Sequence, residues 1–380
     1  MFVTSKLPEV KTTIFTIMST LARKHQAINL SQGFPDFSPH PKLIEAATKA
    51  MLSGQNQYAP MQGLMNLREI IAQKAQELYN VYYNPEKEIT ITAGATQAIF
   101  TAIMAFIRPQ DEVIMIEPVY DSYVPAVRLC GGMVKFCQMN PDDFSINWKD
   151  MSKLISNKTK AIIINSPHNP TGSTLKEKDL QELQKLVQGT DIIIISDEVY
   201  EHIIFDGEPH QSIALYPELA QRSIIVSSFG KTYHTTGWKV GYVLAPENLM
   251  IEFQKVHQYN VFSVNIASQV AFAEILKDKD LYLSLGQFYQ EKRDYFKLLL
   301  KGSRFVLKNV SGTYFQLASY QNISEEKDTD FAVYLTEKVG VAPIPLSPFY
   351  SKQQDFKLLR FCFAKENETL EKAAEKLVKV

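Results

Sequence analysis

Ser223-Ile224-Ile225-Val226-Ser227-Ser228-Phe229-Gly230-Lys231-Thr232, closed by Gly237-Trp238-Lys239-Val240-Gly241, is the stretch from which the fold is read. Ile224, Ile225 and Val226 make a short β-branched run that suits a buried strand, and the small residues after it turn the chain sharply. Lys231 is thereby placed at the strand's carboxyl end. In an open parallel sheet that edge is where ligands bind, and an amine held there partly out of water has its pKa lowered enough to attack a carbonyl. Taken alone, Lys231 also reads as a loop lysine on the surface, as most of the 40 Lys and Arg residues must be.

Two further strand ends carry complementary chemistry. Asp191-Ile192-Ile193-Ile194-Ile195-Ser196-Asp197-Glu198-Val199-Tyr200 is an apolar run that ends in an acid, with a tyrosine three residues later. A buried carboxylate keeps a proton on a pyridine-type ring nitrogen, and a nearby phenol donates to the ring's phenolate oxygen. The same pair also reads as an ordinary helix start, since Asp is a good N-cap. Lys160-Ala161-Ile162-Ile163-Ile164-Asn165-Ser166-Pro167-His168-Asn169-Pro170-Thr171-Gly172 runs from a third strand into a proline-bracketed turn that fixes Asn169. Its amide suits bonds to a ring oxygen and a substrate carboxylate together, although a plain Asn-Pro turn has the same sequence. Ile91-Thr92-Ala93-Gly94-Ala95-Thr96 passes from strand to helix through small residues, so free N–H groups at Ala95 and Thr96 face an anion there.

These motifs, with Arg360-Phe361-Cys362-Phe363, resemble the class I aminotransferases of fold type I. Gln32-Gly33-Phe34-Pro35-Asp36-Phe37, Gln57-Tyr58, Glu117-Pro118-Val119-Tyr120-Asp121 and Gly237-Trp238-Lys239 resemble the kynurenine aminotransferase subgroup. Ser227 to Lys239 and Lys255-Val256-His257-Gln258-Tyr259 resemble its bacterial methionine aminotransferases, and the likeness runs from about Leu30 to the last helix. It implies pyridoxal 5′-phosphate as cofactor and ping-pong transfer of an amino group from an L-amino acid to a 2-oxo acid. Lys231 is then the anchoring amine and general base, Asp197 and Tyr200 hold the ring, and Tyr120 stacks on it. Ser228, Lys239, Ala95 and Thr96 take the phosphate, with Tyr58 reaching it from the other subunit of a homodimer. Many relatives carry arginine where Lys239 stands, and a point charge lacks the bidentate fork. Arg360, with Asn169 and Gly33, clamps the substrate carboxylate, and Phe34 and Phe262 add apolar pocket wall. No cation for a distal carboxylate stands out, which favours methionine or aromatic donors over aspartate, with leucine, glutamine, histidine and kynurenine open. A carbon-sulfur β-lyase on the same cofactor, or a non-catalytic regulator, is the alternative.

Composition agrees. A chain of 380 residues, 45% hydrophobic, exceeds the size at which single cores split, so two domains are expected. Strand-like runs at 88–92, 112–117, 160–165, 191–196, 223–227 and 240–245 alternate with helical patterns at 95–106 and 176–188. This predicts an α/β fold with a doubly wound, mostly parallel sheet, and the resemblance implies seven strands in it. A single long helical pattern over 249–274 leads to a smaller α+β domain with a strand pair near 313–318 and 358–364. By resemblance the large domain spans 42–275, and residues 1–41 join 276–380 in the small one. Net charge of -1 gives no basic field for nucleic acid or an acidic membrane. The three cysteines form no Cys-x-x-Cys pair, no metal site is suggested, and no 18-residue apolar run or leader is seen, so a cytoplasmic protein is expected.

Overall fold

The computed structural model describes residues 3–380. Seven strands form its central sheet: β1 (Ile89–Thr92), β2 (Glu112–Glu117), β3 (Met133–Gln138), β4 (Thr159–Asn165), β5 (Ile193–Asp197), β6 (Ser223–Ser228) and β7 (Gly241–Leu244). Their spatial order is β1-β7-β6-β5-β4-β2-β3, all neighbours parallel except β7, which runs antiparallel to both β1 and β6. The isoleucine runs are continuous because both sheet faces are covered by helices. Alternate residues feed different cores: Ile114, Ile162, Ile194 and Ile225 point to one, and Val113, Ile163, Ile195 and Ile224 to the other. Each such fully buried side chain contributes about 1.5–3 kcal/mol.

Two sequence expectations are corrected. Strand β3, the seventh strand, had no place among the six runs read from sequence, because it is an edge strand whose residues are mostly half-exposed and include Lys135, so it lacks the apolar run of its neighbours. The long helical pattern over 249–274 is two helices, Glu247–Asn260 and Ile266–Ile275. Phe262 at φ +66° breaks the first, and the Asn265 side chain caps the second by accepting from Ser268 N. Asp197 and Tyr200 do not start a helix; Asp197 ends β5 and a turn follows.

A second, antiparallel sheet comprises β8 (Val306–Leu307), β9 (Phe315–Ser319), β10 (Ile344–Pro345) and β11 (Leu358–Cys362) in the order β10-β11-β9-β8. Ile28–Asn29 pairs in parallel with Val341–Ala342, and Cys362 N donates to Leu30 O, so the amino-terminal arm is stitched to the carboxyl-terminal third. No helix among the described residues is long and apolar enough to cross a membrane.

Candidate active site

Five carboxyl-edge elements of the large sheet, those after β1, β2, β4, β5 and β6, converge with the amino-terminal arm and β11 around a cavity of about 400 Å³. The sheet brings Asp197 from the end of β5, Asn169 from the turn after β4 and Lys231 from the turn after β6. Gly33, Phe34, Ala95, Thr96, Tyr120, Tyr200 and Arg360 line the same space. Ten of the fourteen residues singled out from sequence therefore meet in one place.

Lys231 Nζ donates to the Gly33 carbonyl at 3.1 Å, and burial lowers its pKa to about 8, with the cations of Arg360 and Lys239 acting in the same direction. Asp197 is buried, which pushes its carboxyl up to about 6; a hydrogen bond donated by the Tyr123 hydroxyl opposes that rise. Arg360 is fully buried, its guanidinium pKa lowered by loss of water. Nη1 donates to Asn169 Oδ1 at 2.6 Å and Nη2 to Ser31 O at 2.9 Å, while Nε has no partner among the described residues. The Phe315 ring lies 3.8 Å from the guanidinium carbon, a stack that fixes its plane.

Four residues stand outside the cavity wall. Ser228 ends β6 beside Gly241, and Lys239 is exposed, but its Nζ would lie 3.2 Å from a Cβ built on Gly94, which places the ammonium over the start of the Ala95–Phe106 helix. Tyr58 and Phe262 are 83% and 45% exposed, their rings edge to face at 5.4 Å on the outer surface.

Sequence reading missed Tyr123, Asn165, Tyr314 and Phe15. Asn165 Nδ2 donates to Asp197 O at 2.9 Å, and its Oδ1 accepts from Asn169 N at 2.8 Å, locking two strand ends together. Only Asn165 carried a local signal, as the last polar residue of an apolar strand. Tyr123 follows the Glu117–Asp121 motif by two residues and Tyr314 sits in the strand-like run at 313–318, but neither stretch shows which of its aromatic side chains turns towards the site.

An anionic, ring-bearing cofactor fits these residues. The helix that starts at Ala95 has no side-chain cap at Gly94, and its first backbone-partnered amide beyond the cap is that of Ala98, so the preceding N–H groups are free for an anion beside Lys239. The Asp197 carboxylate and Lys231 amine supply the remaining donor and acceptor set. The family model for class I and II aminotransferases matches residues 25–377. The chain belongs to this family. Methionine aminotransferase of Escherichia coli (strain K12) is 48% identical over 374 residues, covering 98% of this chain and 97% of its own. The crystal structure of YbdL from Escherichia coli, reported with a methionine aminotransferase function, superposes with a TM-score of 0.98 at 47% identity, each chain covered completely (100%). Human kynurenine–oxoglutarate transaminase 1 is 33% identical over 395 residues, or 94% of this chain and 93% of its own. This aminotransferase is therefore a pyridoxal 5′-phosphate-dependent transaminase of fold type I, acting on an amino acid and a 2-oxo acid.

Proposed function

We propose that this aminotransferase takes methionine and aromatic L-amino acids as its donors. The observation that carries this reading is the charge inventory of the cavity. Its wall holds two cations, Lys231 and Arg360, with Phe15, Phe34, Tyr120 and Phe315 over much of the rest. Arg360 is committed to a carboxylate beside Asn169 and Lys231 to the cofactor, and among the described residues no third cation lines the cavity to receive a distal carboxylate. A methyl thioether or an aromatic ring suits such walls. Apolar pockets separate similar side chains by only about 10 to 200-fold, so several donors share the site. The relatives named for methionine and kynurenine support the same range.

When bound, the cofactor supplies an electron sink for the bond broken at the substrate's α carbon. Lys231 is the residue that anchors it and moves the α proton, from an amine that burial has brought near neutral pH. Asp197 would keep a proton on the ring nitrogen, Tyr200 would donate to the ring oxygen, and Tyr120 would cover the ring, all three lining the cavity. Ala95 and Thr96 amides, Ser228 and Lys239 would hold the phosphate. Arg360, Asn169 and Gly33 orient the carboxylate. A homodimer whose Tyr58 and Phe262 complete the neighbouring site fits the exposure of both rings. The division into 42–275 and 1–41 with 276–380 is supported by the pairing of Ile28–Asn29 with Val341–Ala342, and three free thiols suit the cytoplasm.

Absorption spectra of the purified protein, taken as L-methionine, L-phenylalanine or L-aspartate is added without oxo acid, test the reading. The first two shift the cofactor band, reversibly on adding a 2-oxo acid, and aspartate acts at least about tenfold more slowly. A band moved fastest by aspartate overturns the donor assignment, and release of pyruvate with ammonia from cysteine conjugates reveals the lyase instead.

A further inference from the structure

The amine of Lys231 is held by a residue that no step above uses. Nζ donates to the Tyr314 hydroxyl at 3.0 Å as well as to Gly33 O at 3.1 Å, and the Tyr314 hydroxyl donates its own proton to the same Gly33 carbonyl at 2.6 Å. With that proton committed, Tyr314 offers Lys231 only a lone pair. The three groups close a triangle. Its Gly33 corner lies two residues from Ser31, whose carbonyl accepts from Arg360 Nη2 at 2.9 Å. One short segment of the amino-terminal arm thus sets the positions of both the amine and the carboxylate clamp.

Tyr314 is placed there against local preference. Thr313 stands at φ +65°, a left-handed conformation that is a genuine outlier for a β-branched residue. Such strain persists only where the surroundings over-determine it, and it gathers at functional sites. Here Thr313 N donates to Ile203 O at 2.9 Å, and Phe315 N donates to Thr313 Oγ1 at 3.2 Å. The backbone twist presents Tyr314 to Lys231 and the following ring, Phe315, to Arg360. Tyr314 is fully buried, packed edge-on to Tyr200 at 5.2 Å and tilted against Tyr289 at 5.6 Å.

We propose that Tyr314 is a positioning residue whose hydroxyl, braced on the Gly33 carbonyl, holds the Lys231 amine whenever that amine is not covalently engaged. The proposal rests on the reading of Lys231 as the anchoring amine. The groups that face Lys231 are Asp197, Arg360, Lys239, the Cys362 thiol, the Tyr200 ring, and two oxygen acceptors, the Gly33 carbonyl and the Tyr314 hydroxyl. Arg360 and Lys239 favour the neutral amine; Asp197 and the two oxygen acceptors favour the ammonium. Removing the Tyr314 oxygen removes one acceptor of the charged form, so the amine titrates lower.

The test compares the parent with Tyr314→Phe and Tyr289→Phe. Tyr289 has a hydroxyl without a partner among the described residues in the same aromatic cluster, so its loss reports on packing alone. Lys231 in cofactor-free protein is pulse-labelled with acetic anhydride across pH and read by mass spectrometry, and the rate of cofactor attachment is followed by absorbance. The parent titrates near pH 8. In Tyr314→Phe the midpoint falls by about 1 pH unit and attachment slows about tenfold, while Tyr289→Phe matches the parent. A Tyr314→Phe titration and attachment rate equal to the parent's overturn the proposal, as does an equal shift in Tyr289→Phe. Borohydride reduction that leaves no cofactor on Lys231 of the parent overturns the anchoring assignment, and this proposal with it.

Discussion

Lys231 shows how a single position is set by its surroundings. Burial lowers its amine to about 8, so between that value and the ordinary 10.5 the folded chain binds fewer protons there than the unfolded chain. Stability of the cofactor-free protein therefore rises with pH across that window, and the penalty of the buried charge is complete below it. Lys231→Met accordingly abolishes turnover and covalent attachment yet melts a few degrees higher than the parent below pH 8, an advantage that fades towards pH 10; thermal denaturation of cofactor-free protein across pH checks both. Tyr123 acts on Asp197 in the opposite sense. Its hydroxyl donates to the carboxylate and favours the ionised form against burial. Tyr123→Phe raises the Asp197 pKa above about 6 and weakens retention of the cofactor about tenfold, measurable by spectral titration.

At the scale of elements, the phosphate cradle depends on how closely β1, β6 and β7 approach. A Cβ on Gly241 would stand 2.6 Å from Ser227 O and 3.2 Å from Ala95 N, so the strand pair and the helix start close up only around a residue without a side chain. Gly241→Ala costs about 2 kcal/mol or more of stability, read from a denaturant midpoint, and weakens the cofactor more than it changes turnover of the loaded enzyme. The helix itself was legible in sequence from Ala95 to Phe106, because strand, small residues and apolar helix period follow in order. Edge strand β3 was not, since half-exposed residues dilute the apolar signal. The break at Val261 to Asn265 was also hidden. Apolar residues continue through it, and only the cap at Asn265 marks the restart.

Across the whole molecule, buried charge joins parts distant in sequence. Lys74 Nζ meets Glu201 Oε1 at 2.8 Å, with Tyr79 and Tyr242 hydroxyls on the same carboxylate, tying the Met65–Tyr79 helix and β7 to the turn that carries Tyr200. Lys74 beside it holds the Glu201 pKa far below the usual 4.5, against burial. Its contribution is present above that value and is lost as pH falls below it. Glu201→Gln strands the Lys74 charge and costs about 3–5 kcal/mol at neutral pH, a difference that shrinks in urea titrations run at progressively lower pH below 4.5. The exposed Tyr58 and Phe262 pair predicts a dimer by sedimentation, and Tyr58→Ala lowers cofactor retention about tenfold without altering the fold of one chain.

The apolar runs and the polar residues that end them determined the central sheet and placed Asn169, Asp197 and Lys231 at its carboxyl edge. Local pattern suffices there, because a strand buried on both faces must be continuously apolar, and the first polar residue after it lies at the edge. Arg360 was seen in a strand, and only the resemblance gave it a carboxylate to clamp. Only the tertiary structure buried it against Asn169, Ser31 and Phe315. Tyr123, Tyr314 and the Lys74–Glu201 pair were decided wholly at that level. Their partners lie 74, 83 and 127 positions away in the chain, and hydrogen bonds of that span leave no periodicity to read.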